Sequence, residues 1–474
     1  MTEKYDLIVI GGGPAGEKGA SKAAYYGKRV ALVERAPYLG GAGINTGTVP
    51  SKTLRETALY FSGLQQRGLY GIDYSFKKNP SIKDFMHREH TVVDKEREMI
   101  EQTIRRHNIT VVHGEGSLKD AHTVHVKSPN SEIVISGEII LIATGSSPVH
   151  SPEIPFDGKL IYDSDSILHM DHIPKTMAVV GGGVIGTEYA SIFTALGINV
   201  TLIEPRGNIV SFVDSEIAKR LMDQLTTLGL NFIFGDRMTA IEPRGNHIQL
   251  TLEKGGSLDF EVALIAAGRQ SNVEGLGLEQ MGIKMGKRGL ILVDENYRTN
   301  IPNIFAVGDV IGFPALASTS MEQARAAIVH AFDLEYKERL APFVPFAVYA
   351  IPEISSIGLT EDECKEKNIP YLIGRAYYEE NARGQIIGDL CGMIKLVFSP
   401  TDKKLLGAHI IGEQASELIH IASHVMLANG AVDTFIEAVY NYPTLSDSYQ
   451  YAAYDGLKNY EKWLESVNNG LRSS

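Results

Sequence analysis

Residues 6–34 read DLIVIGGGPAGEKGASKAAYYGKRVALVE, and residues 177–204 read MAVVGGGVIGTEYASIFTALGINVTLIE. Both stretches pass from a short apolar run through three consecutive glycines into a helix-forming segment, then end in a second apolar run closed by a glutamate. Glu34 lies 23 residues after Gly11, and Glu204 lies 23 residues after Gly181. Each element has a physical reason. Gly11 and Gly181 serve the tight turn from strand to helix. Gly13 and Gly183 let the backbone approach a pyrophosphate, and Gly16 and Gly186 let helix and strand pack closely. The helix N-terminus offers unpaired N–H groups and positive potential to a diphosphate. The closing carboxylate accepts hydrogen bonds from a ribose 2′-hydroxyl. One such glycine pattern alone is weak, because glycine-rich turns are common. Strand, glycines, helix, strand and acid in order, twice and at one spacing, predict two Rossmann-like dinucleotide-binding units in an α/β fold.

The sequence after each unit also runs in parallel. Alternating β-type sequence ends at Ala143-Thr144-Gly145 after the first, and HIQLTLEKGGSLDFEVALIAAG ends at Gly268 after the second. Turn residues separate the strands, so each reads as a small meander added to its nucleotide-binding sheet. The first unit is longer. Its Glu34 is followed by GGAGINTGTVPSKTLRE (40–56) and by a polar, helix-like stretch over 82–108. The final VNNGLRSS reads as a frayed tail.

The chain has 474 residues, and 57 Asp+Glu outnumber 45 Lys+Arg for a formal charge of −12. That balance speaks against a general nucleic-acid binder or a basic membrane-surface protein. No apolar stretch approaches the roughly 18 residues of a membrane helix, so no membrane insertion is expected. The opening MTEKYDLIVIGGG lacks the basic start and long apolar core of a signal peptide, which predicts a cytoplasmic protein. Only two cysteines occur, Cys364 and Cys391. They exclude a disulfide scaffold, a cysteine-based zinc site and an N-terminal C-x-x-C redox motif. Cys391, within LCGMIKLVF, reads as a small core residue, and Cys364, within TEDECKEK, as an exposed thiol on a helix. His420 and His424 are spaced i, i+4 without a third ligand or a general-base glutamate, so no metal site is expected.

Further motifs carry a resemblance. GTVPSK occupies 47–52, ATGS 143–146, TNIPNIFAVGD 299–309, IPEISSIGLTE 351–361, LGAHIIGEQASELI 406–419 and NYPTLSDSY 441–449. With the double glycine unit, these resemble the FAD-dependent pyridine nucleotide–disulfide oxidoreductases over nearly the whole chain, and among them the soluble transhydrogenase branch. The resemblance implies three folded parts. Residues 1–150 and 279–345 would form the FAD-binding domain, 151–278 the NAD(P)-binding domain, and 346–474 a C-terminal α+β dimerisation domain of a homodimer. It implies FAD beside Gly11, Gly13, Gly16, Glu34, Arg35, Lys52, Gly116, Thr144, Gly145, Asp309 and Ala317. It implies a nicotinamide nucleotide beside Gly181, Gly183, Gly186, Glu188, Glu204, Arg206 and Gly268. Asp309 would accept hydrogen bonds from the FAD ribitol, a task that suits an acceptor-only carboxylate. On turn propensity alone it would be an ordinary turn aspartate. Lys52 and Glu188 would pair beside the flavin N5 and the nicotinamide C4, Lys52 favouring electron density on the reduced flavin and Glu188 holding Lys52. Without the resemblance they read as a solvated lysine and as a charge favoured at a helix N-terminus.

The chain departs from this pattern in two places. Disulfide-reducing members carry GGxCxxxxC before their PSK, and Gly43 and Thr48 stand at those two cysteine positions here. Many soluble transhydrogenases keep a cysteine at the position of Gly43. Disulfide-reducing members also use a C-terminal His–Pro…Glu pair, where this chain has Tyr442 and Asp447. Without a thiol no thiol base is needed. Glu204 favours the free 2′-hydroxyl of NAD(H) over the 2′-phosphate of NADP(H), an acid that transhydrogenases usually lack, while Arg206 offers that phosphate a partner. The expected activity is hydride transfer from NAD(P)H through flavin to a second nicotinamide nucleotide, with no disulfide relay. One alternative is a diaphorase, quinone reductase or oxidase, its small acceptor seated in extra room left by Gly43. Another is an FAD-binding dimer with decayed catalysis that serves as an interaction subunit. Retention of Lys52 and Glu188 argues against that last reading.

Overall fold

A computed structural model of the chain describes residues 3–63, 81–335 and 339–472. The first apolar run forms β1 (Glu3–Ile10), and α1 (Pro14–Tyr25) follows with Pro14 at its start, where a missing N–H leaves no helical bond unmade. β2 (Val30–Glu34) is buried throughout. The inserted segment supplies α2 (Gly41–Asn45), α3 (Thr48–Ser62) and α4 (Ile82–Arg106), the last opened by a capping box between Ser81 and Asp84. β3 (Thr110–His113), β4 (Glu115–Asp120), β5 (Thr123–Ser128) and β6 (Ser131–Ile142) complete the sheet in the order β3-β2-β1-β6-β5-β4. β6 serves two partners in turn. Its first half pairs antiparallel with β5, making the expected meander, and its second half runs parallel to β1 and to a later strand at Ile304–Ala306.

The chain leaves this part through β7 (Ser146–Pro148). The second glycine unit then gives β8 (Ile161–Tyr162), β9 (Thr176–Val180), α5 (Val184–Ala195), β10 (Asn199–Glu204), α6 (Ser215–Leu228) and β11 (Asn231–Phe234). β12 (Met238–Arg244), β13 (His247–Leu252) and β14 (Gly256–Phe260) are antiparallel, and β15 (Val262–Ile265) returns to the parallel sheet, ordered β11-β10-β9-β15-β8. The expected meander here is a separate three-stranded sheet rather than an extension. It packs across one face of the parallel sheet through Ile241, Ile248 and Leu250 against Ala178, Ile203 and Ala263. β16 (Arg269–Ser271) pairs antiparallel with β7, so exit and return strands form one ribbon between the two units. β17 (Ile304–Ala306) and α7 (Ala317–Phe332) rejoin the first part.

The C-terminal part contains β18 (Phe346–Val348), β19 (Ile354–Gly358), α8 (Glu361–Glu366), β20 (Leu372–Tyr377), α9 (Ala382–Ile387), β21 (Met393–Phe398) and β22 (Leu405–Ile411). These are followed by α10 (Ala415–Leu427), α11 (Asp433–Glu437) and α12 (Ser448–Arg472). The sheet is antiparallel in the order β18-β19-β22-β21-β20. α12 runs through most of the expected frayed tail. Cys364 is buried rather than exposed, because α8 turns Lys365 and Glu366 outward and Cys364 into the core. Burial and nearby Glu363 push its thiol up. Cys391 sits in the turn before β21, half-buried, and donates to Asp389.

One ion cluster fastens the C-terminal part to the second nucleotide unit. The Lys395 ammonium is fully buried and meets Asp214 at 3.0 Å, Glu216 at 2.9 Å and Glu361 at 2.8 Å. Asp214 caps α6, and Arg375 also holds Glu216. Burial alone would raise the Glu361 carboxyl, but hydrogen bonds from Lys365 and Lys395 outweigh it and pull the group from 4.5 to about 2. A carboxylate depressed in the folded state adds stability above its ordinary range and loses it as pH falls through the folded value. Unfolding free energy therefore declines as pH drops from 4.5 towards about 2. Lys395→Met, which strands the buried Asp214 carboxylate, removes about 3–5 kcal/mol at neutral pH; urea unfolding across this pH series measures both effects.

Candidate active site

A cavity of ≈ 1450 Å³ runs beneath the N-terminus of α1, between the two nucleotide units and β18. Every residue assigned to FAD lines it except Gly16. Gly16 acts in packing instead: a Cβ there would lie 1.8 Å from the Gly11 carbonyl oxygen. A Cβ on Gly11, whose φ is +106°, would lie 2.4 Å from the Ala143 oxygen, so this turn requires glycine. The second unit repeats the arrangement, with a Gly186 Cβ 1.8 Å from the Gly181 oxygen. Of the residues assigned to the nicotinamide nucleotide, Glu188 reaches the cavity. Gly181, Gly183, Gly186, Glu204, Arg206 and Gly268 lie together at the carboxyl edge of the second sheet, outside its wall.

Lys52 on α3 and Glu188 on α5, 136 residues apart, meet at 2.7 Å. Glu188 is buried, whereas the Lys52 side chain keeps 26% of its surface open. The second Glu188 oxygen accepts the Tyr349 N–H at 2.9 Å, and the Lys52 ammonium lies 4.9 Å from the centre of the Tyr349 ring. Tyr349 was not legible as a site residue, because its contribution is a backbone N–H and a ring face that any sequence pattern leaves unmarked. Asp309 faces the cavity after β17, and one of its oxygens accepts the Ser146 hydroxyl at 2.6 Å. Arg269 donates to the same hydroxyl oxygen at 2.9 Å and to the Ser146 carbonyl at 2.7 Å. The β7–β16 ribbon thus links Asp309 to the second unit. Ser146 closes the ATGS motif and Arg269 follows the AAG ending at Gly268, the one signal that marks them.

The two closing glutamates are buried at the ends of β2 and β10, and each accepts the N–H of the second glycine of its own unit. Arg206 pairs with Glu204 at 2.7 Å rather than standing free. Burial would raise the Glu204 carboxyl, but the Arg206 and Gly182 hydrogen bonds hold it below its ordinary range.

The two positions taken by cysteine elsewhere behave differently. Thr48 opens α3 and lines the cavity. Gly43 is buried on α2, and a Cβ there would come 2.6 Å from Pro14 Cγ. Gly43 lines the cavity, but α2 packs on the first turn of α1, so a side chain's Cβ there would press on Pro14. Tyr442 is 76% exposed, and Asp447 is buried against Asn381, where burial raises its carboxyl despite the Asn381 hydrogen bond. The fold does not bring either of them to the cavity of its own subunit.

The Pyr_redox_2 family model, described as pyridine nucleotide-disulphide oxidoreductase, matches residues 5–331, and the dimerisation-domain model of the same family matches 344–453. The chain is 44% identical over 454 residues to the soluble pyridine nucleotide transhydrogenase of Mycobacterium bovis (strain BCG / Pasteur 1173P2), covering 95% of this chain and 97% of that protein. Against the soluble pyridine nucleotide transhydrogenase of Marinobacter nauticus it is 37% identical, covering 96% and 98%. Among solved structures, LpdA from Mycobacterium tuberculosis superimposes with a TM-score of 0.89 at 25% identity, covering 96% of this chain and 99% of that one. The copper(II) complex of the HOCl-induced flavoprotein disulfide reductase RclA from Escherichia coli gives 0.86 at 27%, covering 96% and 99%. The dimerisation-domain match supports a homodimer, and among the described residues no helix is long and apolar enough to cross a membrane. The chain belongs to the pyridine nucleotide-disulphide oxidoreductase family, as an FAD-dependent enzyme that acts on nicotinamide nucleotides.

Proposed function

We propose that this enzyme transfers hydride from one nicotinamide nucleotide to another, as a soluble transhydrogenase, without a disulfide relay. The observation that carries this is the closed Lys52–Glu188 pair in a cavity wall whose two cysteine positions are Gly43 and Thr48. The cavity residues fit FAD. Glu34 would take the adenosine ribose, Gly13 and the α1 N-terminus the pyrophosphate, and Asp309 the ribitol. Bound flavin supplies the chemistry, since it can accept a hydride and release it again. Lys52 places a positive charge where negative charge develops, and Glu188 fixes that charge without a moving part. Tyr442 and Asp447 are assigned to the partner subunit's cavity, where no thiol asks for a base. The division into residues 1–150 with 279–345, 151–278 and 346–474 follows the same reading. So does a cytoplasmic setting, which suits two unpaired cysteines.

The quinone-reductase alternative draws less support from Gly43, because a Cβ built there points at Pro14 Cγ. The decayed-subunit alternative has to leave the Lys52–Glu188 pair without a purpose.

Anaerobic holoenzyme mixed with NADH should bleach its flavin and then reduce thio-NADP+ with steady turnover. Turnover with a quinone but none with thio-NADP+ would give the acceptor to the second class. Lys52→Ala should slow flavin reduction about tenfold or more while FAD stays bound, read by stopped-flow absorbance. Gly43→Cys should lower stability by about 1–3 kcal/mol through overpacking against Pro14, read as a drop in the thermal midpoint.

A further inference from the structure

The two closing glutamates share one backbone frame but differ in the hydrogen-bonding capacity left to them. Glu34 accepts the Gly12 N–H at 2.6 Å on one oxygen and the Ala36 N–H at 2.8 Å on the other. Glu204 repeats both bonds, from Gly182 at 2.7 Å and from the Arg206 N–H at 3.0 Å. A carboxylate offers about four lone-pair sites, so the backbone takes half in each case. At Glu34 the remaining half faces the cavity. At Glu204 it is taken by the Arg206 side chain, with Nε donating to one oxygen at 2.7 Å and Nη2 to the other at 3.2 Å. The third nitrogen, Nη1, donates to the Ser211 hydroxyl at 2.8 Å. Glu204 is buried while the Arg206 side chain is 54% exposed, so the carboxylate is the fixed partner and the guanidinium the movable one.

We infer that Arg206 is a displaceable clamp that sets coenzyme choice, letting one nicotinamide site take both NAD(H) and NADP(H). This rests on the transhydrogenase reading above. With the clamp closed, the guanidinium neutralises Glu204 and cancels the repulsion that a bare carboxylate exerts on a 2′-phosphate. The phosphate then finds a planar fork of donors on Arg206 and a hydroxyl on Ser211. The 2′-hydroxyl of NAD(H) instead displaces Nη2, the longer contact, and donates to the freed Glu204 oxygen. In both cases Glu204 keeps its two backbone bonds. The device follows from one difference in sequence: the second residue after the closing glutamate is Ala36 in the first unit and Arg206 in the second.

The test uses 5′-ADP and 2′,5′-ADP, which carry the ribose and phosphate groups but no nicotinamide, titrated calorimetrically into the FAD-loaded dimer. The native enzyme should bind the two within about tenfold of each other, and Arg206→Gln should weaken 2′,5′-ADP about tenfold or more while 5′-ADP binds as well or better. Ser211→Ala, on the exposed loop, should weaken 2′,5′-ADP alone by a few-fold. A native preference for 5′-ADP above about a hundredfold, or equal weakening of both probes in both variants, overturns the inference. The ratio is read without hydride transfer, so loss of thio-NADP+ reduction with the ratio intact would count against the transhydrogenase reading alone.

Discussion

The carboxylate of Glu188 holds the active-site wall together. It is buried on α5, and one oxygen binds the Lys52 ammonium on α3 while the other binds the N–H of Tyr349, directly after β18. A buried carboxylate is tolerated only where its charge and lone pairs are met. Here the two groups that meet it come from α3 and from the segment after β18, so with α5 three separate parts of the chain converge on it. Docking of the nucleotide units and the C-terminal sheet therefore comes with satisfaction of this one group. The resulting cation is held in one orientation at the cavity wall, which in the proposed reaction is the preorganisation that charge development calls for.

Around that point the duplicated unit is put to two uses. The tight glycine turns, the Gly16 and Gly186 contacts and the glutamate-to-glycine bonds recur almost unchanged. The first copy opens on the enclosed cavity, while the second presents its glutamate at the outer edge of its sheet. The ribbon of β7 and β16 lies between them, and the Asp309–Ser146–Arg269 chain carries contact from one copy to the other. Single residues then distinguish the two copies: Ala36 gives its glutamate a backbone bond only, whereas Arg206 adds its side chain.

Much of the site was legible because its chemistry is local. Glycine turns, closing acids and the position of Lys52 depend on residues within one strand–turn–helix, and their steric reasons hold wherever the unit sits. Sequence and structure part where the deciding contact is distant. Cys364 looked exposed among charges, but α8 is too short for its buried face to announce itself through periodicity. At Gly43, a missing side chain suggests room, but how close Pro14 of a different element comes is set by the packing of α2 on α1. The strands at 238–260 alternate like any meander, and alternation does not say whether they extend a sheet or lie across it.

The sequence by itself determined the fold class, the two dinucleotide units, the acids that close them and the absence of thiols from positions 43 and 48. These are matters of residue type and spacing, and local sterics and hydrogen-bonding capacity decide them. Tertiary structure alone decided which groups share a site. It brought Lys52 to Glu188, supplied Tyr349 as a partner, packed α2 against α1 and folded the Arg206 side chain back onto Glu204. Each of these depends on which surfaces meet when buried apolar faces come together, and that choice is made by the whole chain at once.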